Sequence, residues 1–148
     1  MEIKMDLNKD FIFTNSLKEN QDIFKKFETP FIENNHITGA FEFNGFKYTF
    51  DEYIKNNLIL FNISFRVVTN TNKKNKDKIN KLITEQNDIF LNIKFKLNKF
   101  EKNIADFSLN SSILLDRKFN IENPIAIIQP TVESLLISFI SLKEKLQQ

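Results

Sequence analysis

The stretch of residues 119–146 limits the possible folds of this chain more than any other. It contains Asn123-Pro124, a pair typical of a helix entry, because an Asx residue caps the first turn and proline lacks an N–H that would stay unpaired there. Pro130 removes one helical hydrogen bond, so the helix either begins near it or kinks there. Beyond Asn123 the apolar residues recur at alternating steps of four and three, which places them on one stripe of a helix: Ile128, Val132, Leu135, Phe139, Leu142 and Leu146.

Leu136 and Ile140 widen this stripe beyond the area that one face of a small sheet covers. The pattern predicts a core helix that packs on the chain's own sheet, and the second interpretation is a helix that also contacts other subunits. We therefore expect a homo-oligomer, as a dimer or as dimers paired into tetramers, since uncovered apolar surface favours association. The expected contact residues are Leu135, Leu136, Phe139 and Ile140.

Alternating apolar residues predict several half-buried strands. The clearest is 58–68, followed by 90–100 with Leu91 and Leu97 facing inward, and 104–115. Asn44-Gly45 predicts a two-residue hairpin turn in which Phe43 faces Phe46 and Phe41 faces Tyr48. The inward residues of the 58–68 strand are Ile59, Phe61, Ile63, Phe65 and Val67.

The first part of the chain also alternates. Ile3, Met5, Leu7, Phe11 and Phe13 share one parity, which predicts a strand over 2–14 that bends near residues 8 and 9. Residues 16–27 fit a short helix or a loop equally well, and we expect Pro30 to end that segment. The polar residues 69–88 allow a short amphipathic helix. Together these elements predict an α+β fold, an antiparallel sheet followed by a long C-terminal helix, in a single domain over residues 1–148.

The composition excludes several classes of function. The chain has 148 residues with a net charge of +2, no Cys and 1 His, so it has no thiolate metal site and no strong nucleic-acid footprint. It contains no phosphate-binding loop and no nucleophile motif, and we count no apolar run near 18 residues and no signal peptide. We expect a cytoplasmic protein that is not an enzyme, with no cofactor or metal, no nucleic-acid partner and no membrane insertion. The lysines of residues 73–81 fit a solvated loop better than a phosphate site.

Four segments resemble the SecB export chaperones. The helix of that family is entered through a segment with a Phe, an Asn and an aliphatic pair before a proline. The matching residues of this chain are Phe119, Asn123, Ile127, Ile128 and Pro130. The family's opening motif matches Lys9, Asp10 and Phe13. A Phe followed six residues later by a Pro matches Phe24 and Pro30, and the family strand that runs between two phenylalanines matches Phe90 and Phe100. The chain departs from the family where an aromatic-Arg pair is expected after Pro130 and where a second helix would follow.

This resemblance implies an ATP-independent holdase that binds unfolded or precursor proteins, in export together with a motor protein. The missing catalytic motifs and the 17 Phe residues favour the same interpretation. Apolar contact is non-directional, so a groove between sheet and helix would accept varied segments, and exposed strand edges would add main-chain hydrogen bonds. The expected client-binding residues are Phe61, Phe65, Phe95, Phe100, Ile127 and Ile128.

Two other classes remain open. One is an α+β interaction module that resembles YbjN or the type III secretion chaperones, whose order of helix, strands, helix, strands and helix fits if residues 16–27 and 77–86 are both helical. The other is an immunity or antitoxin protein that binds one dedicated partner. The sequence does not identify the clients or the pathway.

Overall fold

The computed structural model describes residues 9–119 and 121–148. Three helices and a six-stranded antiparallel sheet in the order β1-β2-β3-β4-β6-β5 make up the fold. The prediction of an α+β fold with an antiparallel sheet followed by a long C-terminal helix is confirmed. In chain order the elements are α1 (Ile12–Glu19), β1 (Lys25–Glu33), β2 (His36–Phe43), β3 (Phe46–Lys55), β4 (Leu58–Asn70), α2 (Lys76–Ile89), β5 (Lys94–Glu101), β6 (Ile104–Asp116) and α3 (Ile125–Leu146).

The described residues form two compact units. Unit 1 comprises residues 9–61 and 113–128, and unit 2 comprises residues 62–112 and 129–148. The strands β4 and β6 and the helix α3 contribute residues to both units. The expectation of one SecB-like domain over 1–148 stays a prediction.

Phenylalanines in ring-to-ring contact form the core of unit 1. The ring centroids of Phe24 and Phe41 lie 5.3 Å apart, and those of Phe41 and Phe50 lie 6.1 Å apart. Phe50 lies 5.9 Å from Phe61, whose ring stacks on that of Phe13 at 4.9 Å. Aromatic pairs at these separations contribute about 0.5–1.5 kcal/mol each beyond the area they bury. The Phe content of the chain therefore has a structural role in this unit.

The hairpin between β2 and β3 is the one that Asn44-Gly45 predicted. Asn44 and Gly45 adopt φ angles of 50° and 81°, as a type I′ turn requires. The flanking pairs have the expected register, Phe43 opposite Phe46 and Phe41 opposite Tyr48. Burial raises the pKa of Tyr48 to about 12.

The prediction of a strand over residues 2–14 is wrong for its described part. Phe13 lies in α1, and Phe11 is the residue at its N-terminal cap. The other three residues of the predicted strand lie outside the described residues: Ile3, Met5 and Leu7. Phe13 and Leu17 are fully buried one turn apart, so the apolar spacing also fits a helix. Pro30 does not end a segment but lies inside β1, a strand at the edge of the sheet, where a missing N–H is tolerated.

The predicted strands over 58–68 and 104–115 are confirmed as β4 and β6. All five predicted inward residues of β4 are buried. β5 begins later than expected, at Lys94, because a turn follows α2. Leu91 is consequently 90% exposed instead of facing inward, and Leu97 is half-buried. The predicted helix within 69–88 is α2, whose first turn is capped by the Asn75 side chain accepting a hydrogen bond from the Asp77 N–H at 2.7 Å.

Helix α3 begins before Pro130, which lies inside it. Its first turn forms as the N–H of Ala126 donates to the Asn123 carbonyl at 3.1 Å and that of Ile128 to the Pro124 carbonyl at 3.0 Å. The predicted stripe is the buried side of the helix, except that Phe139 is only half-buried. Its fully buried members are Ile128, Val132, Leu135, Leu142 and Leu146.

The two glycines of the chain give a test of this architecture. A methyl group at Gly39 in β2 would clash with the Glu28 carbonyl oxygen of β1 and lie 2.5 Å from the Phe50 ring. We expect Gly39→Ala to lower the free energy of unfolding by roughly 1–3 kcal/mol, because backbone atoms cannot move away cheaply. Gly45→Ala meets nothing within 4 Å and suffers only from its positive φ, so we expect a loss of about 1 kcal/mol. Urea unfolding measures both variants, and a larger loss for Gly45→Ala would contradict the close packing of β1 on β2.

Candidate functional site

Helix α3 exposes apolar side chains on the side away from its buried stripe. Ile137 is 61% exposed and Ile140 is 49% exposed, while Leu136 is half-buried. Residues 136, 137 and 140 are neighbours on a helix surface, and we call them the α3 ridge. Isolated exposed isoleucines are ordinary on protein surfaces, but adjacent ones on one helix form an apolar patch of the kind that partners cover.

The ridge is held in place by the packing of the opposite side of the helix. Leu135 and Leu142 are fully buried, and the buried hydroxyl of Ser138 donates to the Ser134 carbonyl at 2.6 Å. The ring of Phe139 lies 5.2 Å from that of Phe65, and the ammonium of Lys143 lies 5.9 Å from the Phe139 centroid. The helix cannot turn its isoleucines inward without exposing these leucines.

Acidic side chains flank the ridge at both ends. Glu133 and Glu144 are exposed and lie one turn before Ile137 and one turn after Ile140. Glu133 accepts a hydrogen bond from the Gln129 amide at 3.3 Å, and the basic Lys143 lies beside Glu144. The ridge is therefore an apolar centre with carboxylates at its ends.

The four residues expected at an oligomer contact differ in how far they are buried. Leu135 belongs to the core, Leu136 and Phe139 are half-buried, and Ile140 is exposed. Ile137, which the sequence analysis did not select, is more exposed than any of them. Its position could have been found from the spacing of Glu133, Ile137, Ile140 and Glu144, which share one helix face. The oligomeric contact itself stays a prediction.

The residues expected to bind clients mostly lie in the core. Phe61, Phe65, Phe95 and Ile128 are buried, and Phe100 and Ile127 are half-buried. Within unit 1, Phe61 packs between Phe13 and Phe50; within unit 2, Phe65 packs on Phe139 and Phe95 on Phe90. Client binding by this set stays a prediction, and it requires that the buried members become accessible.

Both edge strands carry features that oppose the addition of a further strand. The pairing of β1 with β2 shifts register twice, between Lys25 and Glu28 and between Glu28 and Phe31, and β1 also contains Pro30. The pairing of β5 with β6 shifts between Leu97 and Lys99. Register shifts, proline and lysine on an edge strand all discourage pairing with another chain. The structure thus gives no support to the expected main-chain binding at strand edges.

The side chain of Asn87 occupies part of the β5 edge. Its amide oxygen accepts from the Phe95 N–H at 2.8 Å and its amide nitrogen donates to the Phe95 carbonyl at 3.2 Å. This two-point contact replaces the bonds that a neighbouring strand would make. A partner strand at this position would have to displace Asn87.

A buried carboxyl group in unit 1 caps the N-terminus of α1. Phe11 at the cap position offers no side-chain acceptor, and Glu52 of β3 takes its place. One Glu52 oxygen accepts from the Thr14 N–H at 2.7 Å and from the Thr14 hydroxyl at 2.6 Å, while the other accepts from the Phe13 N–H at 3.3 Å. Burial raises the pKa of Glu52 to about 7, and the hydrogen bonds from Thr14 and Phe13 offset only part of that rise.

The pKa of Glu52 predicts a pH dependence of stability. The folded protein keeps a proton on Glu52 between about pH 4.5 and pH 7, where the unfolded chain has lost it. The contribution of Glu52 to the free energy of unfolding therefore falls as pH rises through that window, by roughly 3 kcal/mol at most, and is constant above it. Glu52→Gln should remove this fall in denaturant titrations at several pH values. Glu33→Gln, exposed on β1, is the control; a wild-type pH profile in Glu52→Gln would refute the assignment.

Helix α3 is long and apolar enough to cross a membrane by length and composition alone. Its most apolar stretch has a mean hydropathy of 1.7, although polar residues such as Gln129 and Glu133 interrupt it. A third of that stretch, 33%, is buried inside the protein. Core helices pass the same test, so this finding alone is weak support for a membrane span.

The described residues contain no cluster of three or more His, Cys, Asp or Glu side chains that could hold a metal ion. The single histidine, His36, stacks on Tyr53 with ring centroids 3.7 Å apart, and its Nε2 is buried without a hydrogen-bond partner. This contact gives His36 a packing role.

Comparisons with known proteins find similarity only at the level of the fold. No family model matches the chain, and no curated protein sequence matches it. The crystal structure of YbjN from E. coli, a proposed transcription regulator, is similar with a TM-score of 0.52 and 13% identity, over 94% of this chain and 92% of that one. An uncharacterized protein from Methanothermobacter thermautotrophicus is similar with a TM-score of 0.55 and 12% identity, over 91% of this chain and 96% of that one. The chain shares the fold of these two proteins, and the SecB resemblance stays a prediction.

Proposed function

We propose that this chain is a protein-interaction module that binds one dedicated partner protein through the α3 ridge. The observation that carries the proposal is the exposure of Ile137 and Ile140 on a helix whose opposite side carries the buried stripe. The YbjN-like fold supports an interaction module among the classes that the sequence left open, because its element order is the one expected for that class. The proposal assigns no catalytic step and no cofactor to the chain.

The size of the ridge favours a dedicated partner over varied clients. Burying a whole isoleucine side chain contributes about 1.5–3 kcal/mol, so the exposed parts of Ile137 and Ile140 contribute roughly 1 kcal/mol each. Binding also costs translational freedom and side-chain order. The ridge therefore needs specific polar contacts around it to hold a partner, and such contacts select one sequence over others.

The flanking carboxylates indicate the chemistry of that partner. An antiparallel pairing of two α3 helices about Ile137 and Ile140 would place Glu133 of one copy opposite Glu144 of the other, which is repulsive. A partner helix with apolar residues at its centre and Lys or Arg at both ends would meet opposite charges instead. We expect an amphipathic helix of this kind.

Synthetic helical peptides test this function. An amphipathic peptide with lysine flanks should bind at least about tenfold more tightly than the same peptide with glutamate flanks. The double variant Ile137→Asp/Ile140→Asp should abolish binding, because the ridge becomes charged. Ile89→Asp introduces the same change at an isoleucine of α2 that is 58% exposed, and should bind as the wild type does. Fluorescence anisotropy measures all four cases.

Equal binding of the two peptides, or unchanged binding by the double variant, would contradict the proposal. Native mass spectrometry of the same proteins adds a second outcome. A wild-type dimer that the double variant breaks would show that a second copy of the chain covers the ridge.

The holdase is the second candidate function, supported by the SecB resemblance in the sequence. Its test is the aggregation of a chemically unfolded, unrelated protein. If a stoichiometric amount of the wild-type chain delays this aggregation and the double variant does not, general client binding would be located at the ridge. Absence of any delay, with peptide binding intact, would leave the dedicated partner as the function.

A further inference from the structure

A groove of about 490 Å³ in unit 2 concentrates positive charge. Volumes of this size are typical of sites for small molecules. Two lysines come from α2, one from the last turn of α3 and one from the loop before α2. The lining residues that matter here are Lys73, Lys78, Lys81, Lys145, Leu82 and Glu85.

Hydrogen bonds fix the loop that carries Lys73 against the end of α3. The Thr71 hydroxyl and the Asn72 N–H both donate to the Leu146 carbonyl at 2.9 Å. The N–H of Lys73 donates to the Thr71 hydroxyl at 3.0 Å. The backbones of Lys73 and Lys145 are therefore held at a fixed separation. A ligand would bind without the entropy cost of ordering these two segments.

The lysines of this groove have no carboxylate partner among the described residues. Elsewhere in the chain Lys26 pairs with Glu42 at 3.0 Å and Lys99 with Glu101 at 3.2 Å, but Glu85 forms no ion pair with Lys81 one turn before it. Lys73 and Lys145 are half-buried, so solvent screens their charges less than it would for exposed groups. An anion in the groove would supply the counter-charge that the described carboxylates do not.

The charge of the whole chain conceals this concentration. Basic residues outnumber acidic ones in unit 2, and acidic residues outnumber basic ones in unit 1, so the net charge is only +2. The groove is lined by four lysines and one glutamate, and a concave surface with an excess of one sign of charge attracts ions of the opposite sign. Unit 2 therefore presents a positive field that the overall composition does not show.

We infer that this groove binds a small free anion that carries several phosphate groups. Lysine ammonium groups bind phosphate as point charges, and four of them match a multivalent anion. Among the described residues no aromatic side chain lines the groove, whereas proteins that bind single-stranded nucleic acid stack bases on aromatic rings. This argues for a small anion over a nucleic-acid strand. The site is separate from the α3 ridge and does not depend on the proposed function.

Isothermal titration of the full chain with inorganic triphosphate tests the inference. We expect one site per chain, with an affinity that falls as salt rises, because mobile ions screen the lysines. Lys78→Ala and Lys145→Ala should each weaken binding about tenfold. Lys96→Ala removes an exposed lysine of β5 outside the groove and should leave the affinity unchanged.

The inference would be overturned by the absence of triphosphate binding, by an equal loss in Lys96→Ala, or by tighter binding of a single-stranded oligonucleotide that competes with triphosphate. Lys78 and Lys81 are exposed, so the double variant Lys78→Ala/Lys81→Ala should keep the wild-type melting temperature. Full triphosphate affinity in that folded variant would likewise place the anion elsewhere.

Discussion

The burial of the apolar stripe of α3 is the constraint on which the rest of the structure depends. Five side chains of that stripe are fully buried, and each contributes roughly 1.5–3 kcal/mol relative to exposure. A domain of this size has a net stability of only about 5–15 kcal/mol, so the orientation of the helix is fixed by these residues. The helix is apolar on more than one side, however, and placing the stripe inward leaves Ile137 and Ile140 outside. The ridge consists of the apolar side chains of this helix that the described residues leave exposed.

The elements that the sequence predicted correctly depend on local signals. Asn44-Gly45 determines a turn through the φ angles of two residues, and the alternation in β4 and β6 reports a strand with one covered face. The start of helix α1 could not be predicted, because the signal for it is not local. Its cap is Glu52, which is distant in the sequence, and the parity of Phe11 and Phe13 with earlier residues imitated a strand. A helix start that depends on a side chain from another strand leaves no mark in its own sequence.

The candidate site was less predictable than the fold. Alternating apolar and polar residues show that the two faces of a strand differ, but they do not show whether the chain itself or a partner covers the apolar face. Phe61, Phe65 and Phe95 were expected to bind clients, and they lie in the core. Ile137 was not predicted to be a contact residue, because it lies outside the longest apolar stripe of the helix. That stripe marks the buried side. The lysine groove depends on residues from α2, α3 and a loop, and only the fold brings them to one place.

The protected sheet edges explain why side-chain recognition fits this chain better than strand addition. Strand addition obtains its affinity from main-chain hydrogen bonds, which every sequence can make, and it is therefore tolerant of the partner. Here β1 is interrupted by Pro30 and two register shifts, and Asn87 already occupies the backbone groups of Phe95 on β5. In the function proposed above, recognition depends on a side-chain surface, the α3 ridge, where apolar shape and flanking charge both have to match. A surface of that kind distinguishes between partners, because a wrong partner leaves Glu133 or Glu144 beside a like charge.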